Sequence, residues 1–440
     1  MLETIVALAT PPLRSALGIV RLSGSDCFKI VSNFYSKNLV GLTQNSLLHG
    51  YIKDGDNVVD EVVLLLYKGP RSFTGEDSVE IICHGSPLIF NKIISLAIKF
   101  GARMAERGEY SSRAFLNGKL DLIQAESIND LINAETEESK NMSMMSLQGE
   151  TSKLVLPIKK EIGDMLAHIE ANIDYSEYTD IEDVNSEEIV EFCKDIEQKV
   201  AVLITNGRKG KIIKEGINVV IVGKPNVGKS SIFNALLKED KAIVSDYKGT
   251  TRDVVEGKIN LNGVLINLYD TAGIRDSSDY IESLGINKSK EMLKKADIIL
   301  MVYDSPIHTE EDLAILNIIK GKNIIEVYNK TDINQYDKDL LTVSAISKNV
   351  NSLINKMLVV LDLKAENYKT PSLANEREIG LLEACLEEIN GTKKLAIDGI
   401  SIDLISEHIR NAYLKILALT GENYDFDMAK EIFSRFCLGK

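Results

Sequence analysis

The fold is decided by Ile217-Asn-Val-Val-Ile-Val222-Gly223-Lys-Pro-Asn-Val-Gly228-Lys229-Ser230, a short apolar run that leads into a glycine-rich loop. The loop matches the pattern GxxxxGK[ST], and the helical run Ile232 to Leu237 follows it. A strand before such a loop and a helix after it are the context that a phosphate-binding loop requires. Glycines let backbone N–H groups curl around phosphate oxygens at the helix N-terminus. The stretch therefore predicts a nucleotide-binding α/β domain.

Each residue type in this loop has a predicted task. Lys229 is predicted to place a point charge on the β- and γ-phosphates, which makes it a catalytic candidate, and Ser230 to offer its hydroxyl to Mg²⁺. The alternative is a glycine-rich turn that matches the pattern by chance. The predicted nucleotide-binding residues of the loop are Asn226, Val227, Gly228, Lys229, Ser230 and Ser231.

Two later segments argue against a chance match. Asp270-Thr271-Ala272-Gly273 follows the apolar run Val264 to Tyr269, where an aspartate reaches the metal through water and a glycine amide meets the γ-phosphate. Between them, Gly249-Thr250-Thr251-Arg252-Asp253 supplies Thr251, which is suited to complete the Mg²⁺ shell only while the γ-phosphate is present. These segments predict a nucleotide-dependent switch, with Thr251 as a second catalytic candidate.

The base is predicted from a third segment. Asn329-Lys330-Thr331-Asp332 follows the run Asn323 to Tyr328, and a carboxylate there can accept the N1–H and 2-amino hydrogens of guanine. Adenine offers neither donor, so an unpaired buried carboxylate would disfavour ATP. Ser344-Ala345 follows the strand Leu341 to Val343, where a backbone N–H could bind the guanine O6. The predicted nucleotide is therefore GTP.

The group that orients the attacking water is less evident. Ile274 stands after Gly273, where many GTPases carry a glutamine. The charged candidates on the next segment are Arg275, Asp276, Asp279 and Glu282. The residues alone do not rank them, and each could equally be a solvated charge on a loop.

The rest of the chain divides by its hydrophobic pattern, and 440 residues exceed what one core usually organises. Short strands alternate with helices from Thr4 to about Gly118, and helical spacing follows. Strand and helix alternate from Ile217 to about Leu361, after which helices are predicted over 373–395 and 403–419. The fold class predicted is a multidomain α+β and α/β protein, with a Ras-like GTPase domain of mostly parallel sheet inserted into a helical domain. The predicted bounds are 1–118, 119–214, 215–367 and 368–440.

Composition excludes several classes. No apolar run approaches the roughly 18 residues of a membrane span, and five cysteines without a CxxC pair fit a reducing cytosol. Met1 to Thr10 lacks the features of a secretory signal, so a cytoplasmic protein is expected. A net charge of −14 argues that any nucleic acid is held locally or through a second protein.

Motifs outside the GTPase segment carry a family resemblance. They are Thr10-Pro-Pro, Gly18-Ile-Val-Arg21-Leu-Ser-Gly24, Glu80-Ile-Ile-Cys83-His84-Gly85, Glu109-Tyr-Ser-Ser-Arg113-Ala-Phe-Leu-Asn117-Gly-Lys119-Leu-Asp-Leu122 and the closing Phe436-Cys437-Leu438-Gly439-Lys440. From Ile5 to Lys440 the chain resembles the MnmE/TrmE family of tRNA-modification GTPases. The resemblance implies a homodimer through the N-terminal domain and a flavoprotein partner, MnmG (GidA), which brings FAD and NADH. It also implies action on the wobble uridine of certain tRNAs, with no membrane association.

The resemblance further implies a bound folate in the N-terminal domain. The cofactor would be 5-formyl- or 5,10-methylene-tetrahydrofolate, and the family's folate-contacting positions fall on Arg21, Glu80, Lys119 and Lys440. A carboxylate suits the amino-pyrimidine edge of a pterin, and Arg or Lys suits the folate carboxylates. The alternative is a plain dimerisation scaffold. Arg107 stands where the family usually has proline, and Cys437 is open to either a nucleophilic or a packing role.

Hydrolysis in the family implies a K⁺ ion in place of an arginine finger, with GTPase domains meeting across the dimer. The positions implied as K⁺ ligands are Asn226, Ser245, Tyr247 and Thr250, and oxygen ligands suit a hard cation. The family's water-orienting glutamate falls on Glu282. Nucleotide contacts are also implied for Ser245, Asp246, Tyr247, Lys248, Gly249 and Thr250.

One alternative function stays open from the residues. A ribosome-assembly or RNA-chaperone GTPase would share the GTPase domain without one-carbon chemistry. Such a protein is expected to carry an appended basic RNA-binding module, and the sequence has no evident one.

Overall fold

The chain forms two compact units, each with its own core. The computed structural model describes residues 3–174, 184–237, 257–261, 263–270, 292–334, 336–337, 339–345, 350–360, 370–423, 432–434, 436 and 439. The first unit comprises Met1–Asn129, Leu147–Asn185 and Asp398–Lys440, and the second comprises Asp130–Ser146 and Ser186–Ile397. The three-domain division at residues 118, 214 and 367 stays a prediction.

The first unit is built on a six-stranded sheet. Its strands are β1 (Ile5–Leu8), β2 (Leu17–Ser23), β3 (Ser46–Asp54), β4 (Asn57–Tyr67), β5 (Ser78–His84) and β6 (Arg103–Met104). Their order is β3-β4-β5-β2-β1-β6, antiparallel throughout except for the β1–β6 pair. Alternate side chains of β2 and β5, such as Val20 and Ile81, are fully buried in one core with Phe90. Arg21 and Glu80 therefore lie on the opposite face.

The second unit contains a five-stranded sheet with helices on both faces. Its strands are β7 (Ile217–Val222), β8 (Gly257–Leu261), β9 (Val264–Asp270), β10 (Ile298–Tyr303) and β11 (Ile324–Tyr328). The order is β11-β10-β7-β9-β8, and every pair is parallel except β8 with β9. The central strands β7 and β10 are almost entirely apolar on both faces, as expected when helices cover each side. Ile232 and Leu353 pack on one face, and Ile319 packs on the other.

Thirteen helices whose two ends both lie in the described residues accompany the sheets. They are α1 (Cys27–Ser32), α2 (Pro87–Lys99), α3 (Glu109–Leu116), α4 (Leu122–Asn133), α5 (Glu137–Leu147), α6 (Glu150–Lys153), α7 (Leu156–Asp174), α8 (Ser186–Glu215), α9 (Lys229–Leu237), α10 (Glu310–Ile319), α11 (Asn351–Val360), α12 (Glu376–Ile397) and α13 (Ile402–Thr420). In the first unit α7 packs against α13, and in the second α8 packs against α12. Within the described ranges no helix has the length and apolarity to cross a bilayer.

The predicted fold class is confirmed. The strand expected at Ile217 to Val222 has those bounds, and a parallel sheet with α9 after the glycine-rich loop is present as the sequence predicts. Helices predicted over 373–395 and 403–419 are observed as α12 and α13, with their ends shifted by up to three residues.

A buried ionic cluster sits against the first-unit sheet. The side chain of Arg113 is 1% exposed, and it donates to Glu76 Oε2 at 2.9 Å and to Glu109 Oε1 at 2.8 Å. It also donates to the backbone carbonyl of Glu3 at 2.7 Å. Arg103 binds the same Glu109 carboxylate, so the pKa of Glu109 lies below its usual range although burial acts to raise it. Each buried charge here is paired, which is the condition for tolerating it.

We expect Arg113→Ala to lower the free energy of unfolding by about 3–5 kcal/mol, because the change leaves the largely buried Glu76 carboxylate without its ion-pair partner and leaves Glu109 with Arg103 alone. Arg410→Ala is the matched control, since Arg410 pairs with Glu170 on the surface of the same unit and such a pair contributes about 0–1 kcal/mol. Urea denaturation followed by circular dichroism suits a chain without tryptophan. Equal effects of the two substitutions would contradict the assignment.

Candidate nucleotide site

The backbone of the loop after β7 has the curvature that a phosphate cradle needs. Gly223 and Gly228 have φ of +149° and +97°, and Asn226 has φ of +66°. A Cβ on Gly223 would lie 2.5 Å from the Val302 carbonyl oxygen, and one on Gly228 would lie 2.2 Å from Nδ2 of Asn329. Both distances are shorter than van der Waals contact. Glycine is therefore required at each position by conformation and by space.

The loop lysine is folded across the loop it belongs to. Lys229 Nζ donates to the carbonyl oxygens of Gly223 at 3.0 Å and Lys224 at 2.9 Å. The ammonium group thus lies at the mouth of the glycine-rich turn, next to the N-terminus of α9. A phosphate at this helix end would meet backbone N–H groups and a full positive charge together.

The two residues predicted to serve Mg²⁺ are adjacent. Ser230 Oγ donates to Asp270 Oδ2 at 2.7 Å, and Asp270 is 6% exposed at the end of β9. The pairing of β7 with β9 explains this hydrogen bond. Asp270 lies opposite Ile221, one residue before the end of β7, and is therefore close to the loop that leads to Ser230. A hydroxyl and a carboxylate at this edge are oxygen donors of the kind that Mg²⁺ prefers.

A buried amide joins the phosphate loop to the base loop. Asn329 is 3% exposed, and its Nδ2 donates to the carbonyl oxygen of Val227 at 3.0 Å. Its Oδ1 accepts from the backbone N–H of Ala345 at 3.3 Å. One side chain therefore ties together the three segments predicted to surround the nucleotide. Tyr336 adds a hydrogen bond to the Asn329 carbonyl oxygen at 2.5 Å.

The predicted base-reading carboxylate is oriented and accessible. Asp332 is exposed, and its Oδ1 accepts from Ser344 Oγ at 3.0 Å, while Ser344 itself is 4% exposed. Thr331 Oγ1 donates to the Val343 carbonyl oxygen at 3.2 Å, which holds the loop beside the next segment. The arrangement presents a carboxylate at the surface in a defined orientation, as recognition of two N–H donors requires.

Sequence reasoning missed an aspartate between two lysines of the site. Asp304 accepts from Lys330 Nζ at 3.1 Å and lies 3.2 Å from Lys224 Nζ. Burial acts to raise the pKa of Asp304, but hydrogen bonds from Lys330 and Lys224 outweigh it and hold that pKa below its usual range. Asp304 is the first residue after the buried strand β10, so the rule that selected Asp270 after the apolar run Val264 to Tyr269 would also have selected it.

Three of the four predicted folate residues are described, and two of them bind each other. Arg21 and Glu80 face each other across the β2–β5 ladder, with Arg21 Nε and Nη2 at 2.8 and 2.7 Å from Glu80 Oε1. Arg21 Nη1 also donates to the Gly439 carbonyl oxygen at 3.1 Å. Lys119 is exposed elsewhere in the unit and donates to the Pro70 carbonyl oxygen at 3.0 Å.

Other predicted site residues lie outside the described part of the chain. They are Ser245, Asp246, Tyr247, Lys248, Gly249, Thr250, Thr251, Thr271, Ala272, Gly273, Glu282, Cys437 and Lys440. Their roles stay predictions.

Comparison with known proteins identifies the family. Residues 4–119 match the family described as the GTP-binding protein TrmE N-terminus, and residues 122–437 match the MnmE helical domain. Over 450 residues the chain is 40% identical to the tRNA modification GTPase MnmE of Lactococcus lactis subsp. cremoris strain MG1363, covering 100% of this chain and 98% of that protein. The chain belongs to the MnmE family of tRNA modification GTPases.

Other similar proteins include a second member of the MnmE family. The chain is 41% identical over 447 residues to the tRNA modification GTPase MnmE of Malacoplasma penetrans strain HF-2, covering 100% of both chains. Among solved structures, it is similar to Aquifex aeolicus Era bound to GDP and AlF4⁻, with 25% identity, a TM-score of 0.27, and coverage of 39% of this chain and 66% of that one.

Membership of the MnmE family bears on the alternative function. The TrmE N-terminus match spans the whole six-stranded sheet of the first unit. The relatives that match over the full length are tRNA modification GTPases, which favours that function over ribosome assembly.

We expect Asp332→Asn to weaken guanine-nucleotide binding by about 100-fold or more, because two hydrogen bonds to a charged acceptor are lost and an amide N–H then faces the base. Xanthosine nucleotides, which carry an oxygen at the 2-position, should bind the variant better than the wild type. Titration of fluorescent GDP measures both effects. Asp339→Asn is the matched control, an exposed carboxylate with the same charge change, and an equal loss there would contradict the base-reading role.

Proposed function

We propose that this protein hydrolyses GTP to drive modification of the wobble uridine of certain tRNAs at carbon 5, giving carboxymethylaminomethyl or aminomethyl derivatives. The observation that carries the proposal is an assembled nucleotide site within a chain that matches MnmE relatives over its full length. The proposed one-carbon source is a tetrahydrofolate derivative, and the proposed partner is the flavoprotein MnmG with its FAD and NADH.

The contacts at the carboxyl end of β7 support the proposed GTPase activity. Lys229 is held at the loop by two carbonyl oxygens and can exchange them for phosphate oxygens without a large movement. Ser230 and Asp270 would hold Mg²⁺, the hydroxyl directly and the carboxylate through water. When bound, Mg²⁺ supplies charge neutralisation of the phosphates. Thr251 and Glu282 are proposed to complete the metal shell and to orient the attacking water.

A monovalent cation is the proposed substitute for an arginine finger. Asn226 is exposed in the loop with φ of +66°, and its side-chain oxygen is a ligand of the type that K⁺ prefers. Ser245, Tyr247 and Thr250 are the other proposed ligands. The proposed assembly that brings two such sites together is a homodimer through the N-terminal domain.

The contacts of Arg21 support the folate part. Arg21 is fixed by Glu80 on the neighbouring strand and by the carbonyl of Gly439, two residues after Cys437. Tyr110 donates to the backbone carbonyl of Arg21 at 2.7 Å, which adds a further constraint at β2. A paired arginine and glutamate offer donors and an acceptor in fixed orientation, which suits the polar edge of a pterin and the carboxylates of the folate tail. Lys119 and Lys440 are proposed to add positive charge.

The partners follow from the proposed chemistry. MnmG would form a heterotetramer with the homodimer, and tRNA would be held through that complex, as the net charge of −14 favours. The proposed location is the cytoplasm.

The most direct test is mass spectrometry of tRNA nucleosides from cells that lack this protein. We expect loss of the 5-substituted wobble uridine and its return when the wild-type chain is supplied. Asp332→Asn should fail to restore it, whereas Asp339→Asn should restore it. An unchanged wobble nucleoside in the deletion strain would reject the proposed function.

A second prediction concerns the cation. GTP turnover should be at least about 10-fold faster in K⁺ than in Na⁺ at equal ionic strength, since the smaller ion does not match a site built for K⁺. Asn226→Ala should remove that difference while GDP binding changes by only a few fold. Equal rates of the wild type in the two salts would contradict the cation mechanism and leave the tRNA function untouched.

A further inference from the structure

Four charged side chains from four segments meet beside the nucleotide loop. We name this group the Asp304 cluster, and its members are Lys224, Asp304, Asp312 and Lys330. Lys224 belongs to the loop after β7, Asp304 follows β10, Asp312 lies in the first turn of α10, and Lys330 lies in the base loop. Parallel strands bring these segments to one sheet edge, although Lys224 and Lys330 are far apart in the chain.

Each carboxylate oxygen of Asp304 serves one lysine. Oδ1 lies 3.2 Å from Lys224 Nζ, and Oδ2 accepts from Lys330 Nζ at 3.1 Å. The side chains are partly buried, with 25% of Asp304, 19% of Lys224 and 31% of Lys330 exposed. Partial burial reduces the solvent screening that makes surface ion pairs weak. Lys224 also lies 3.7 Å from Oδ2 of Asp312, which anchors it to α10.

The backbone conformation of Lys330 makes its ion pair with Asp304 important for holding the base loop. Lys330 has φ of +67°, a left-handed conformation that costs a non-glycine residue of this kind free energy unless its surroundings stabilise it. Asp304 binds the Lys330 side chain, and the Asp304 carbonyl oxygen accepts from Asn334 Nδ2 at 2.9 Å. Asp304 thus holds the base loop at two points on either side of Asp332.

The two lysines would otherwise repel each other. Both ammonium groups lie within 3.2 Å of the same carboxylate, so their mutual repulsion is screened mainly by Asp304. Without that charge, the phosphate loop and the base loop lose a common anchor on the sheet. The Asn329–Val227 hydrogen bond would still join the two loops, but the predicted Asp332 contact with guanine and the phosphate cradle would be held less firmly at their separation.

We infer that Asp304 is a positioning residue that couples the phosphate loop to the base loop and thereby sets guanine-nucleotide affinity without touching the nucleotide. The inference rests on the proposed GTPase function and names a determinant within that site. Asp304 acts through Lys224 and Lys330, whereas the proposed Mg²⁺ residues Ser230 and Asp270 lie in the first turn of α9 and at the end of β9.

The test is Asp304→Asn in the full-length chain, which keeps the side-chain volume and the backbone carbonyl but removes the charge. Fluorescent GDP should dissociate about 5- to 10-fold faster, and KM for GTP should rise by a similar factor with kcat changed by less than about 2-fold. A loss confined to kcat would overturn the inference. Asp304→Glu, which restores the charge, should recover at least part of the affinity.

The matched control lies at the other end of the same strand. Asp297 precedes β10 and accepts from the Asn218 N–H at 2.8 Å, so Asp297→Asn removes a charge and weakens a hydrogen bond at the opposite sheet edge. GDP dissociation should change by less than about 2-fold in this variant. Equal acceleration in both variants would mean that Asp304 acts only through stability.

A double substitution separates positioning from a general structural role. If Asp304 acts through Lys330, then Asp304→Asn combined with Lys330→Met should release GDP no more than about 2-fold faster than Lys330→Met alone. If the two substitutions instead accelerate GDP release by the product of their separate effects, Asp304 does not act through Lys330 and the inference is overturned. A wild-type chain that binds no guanine nucleotide would reject the proposed function itself, whereas normal binding with an unaffected Asp304→Asn variant would reject this inference alone.

Discussion

The parallel alignment of four strands is the constraint on which the nucleotide site depends. β7 lies between β9 and β10, and β11 extends the same parallel set. Carboxyl ends of parallel strands meet at one edge of the sheet, and the loops that follow them converge there. Gly223, Asp270, Asp304 and Asn329 each come directly after or at the end of such a strand. The sheet thus brings together residues that are up to 106 positions apart in the sequence.

Most side chains of the parallel strands are buried on both faces, which explains why charged groups of the site concentrate at the strand ends. Val220 and Ile221 point to opposite faces of β7, and both are fully buried. A polar side chain within these strands would lose water without a partner, whereas one at a strand end can pair across the edge. Ser230 with Asp270 and Lys330 with Asp304 are such pairs. Burial of the sheet therefore confines the chemistry to the edge.

Sequence patterns predicted the local elements well because their causes are local. The apolar run of β7 and the glycines after it identify the loop at the correct residues. The start of α12 was less well predicted, since Leu373 and Ala374 are buried but precede the helix. Its beginning is instead set by Asn375, whose Oδ1 accepts from the N–H of Glu378 while the Glu378 carboxylate accepts from the Asn375 N–H. Hydrophobic periodicity does not detect a reciprocal cap of this kind.

Pairings between distant segments were not predictable in the same way. The sequence predicts Arg21 and Glu80 as two separate folate-binding residues. Only the pairing of β2 with β5 places them opposite each other. Arg113 belongs to a motif noted for its family resemblance, and its partner Glu109 lies one turn earlier in the same helix. Its other partner, Glu76, lies outside that helix and is brought to Arg113 only by the tertiary fold. From sequence alone, a charged residue is expected to be exposed to solvent. A charged residue can instead be buried where the fold places a residue of opposite charge beside it.

Two different contacts join the phosphate loop to the base loop, and they contribute in different ways. The bond from Asn329 to Val227 is neutral and fully buried, so it depends little on salt, and an unsatisfied partner there would cost about 1–3 kcal/mol. The contacts of Asp304 are ionic and partly exposed, so each contributes about 0–1 kcal/mol and weakens as ionic strength rises. Asn329 therefore defines the geometry of the site, while Asp304 adjusts how firmly the two loops are held. A site with both kinds of contact keeps its shape when the ionic contacts loosen, which is what repeated exchange of a charged ligand requires.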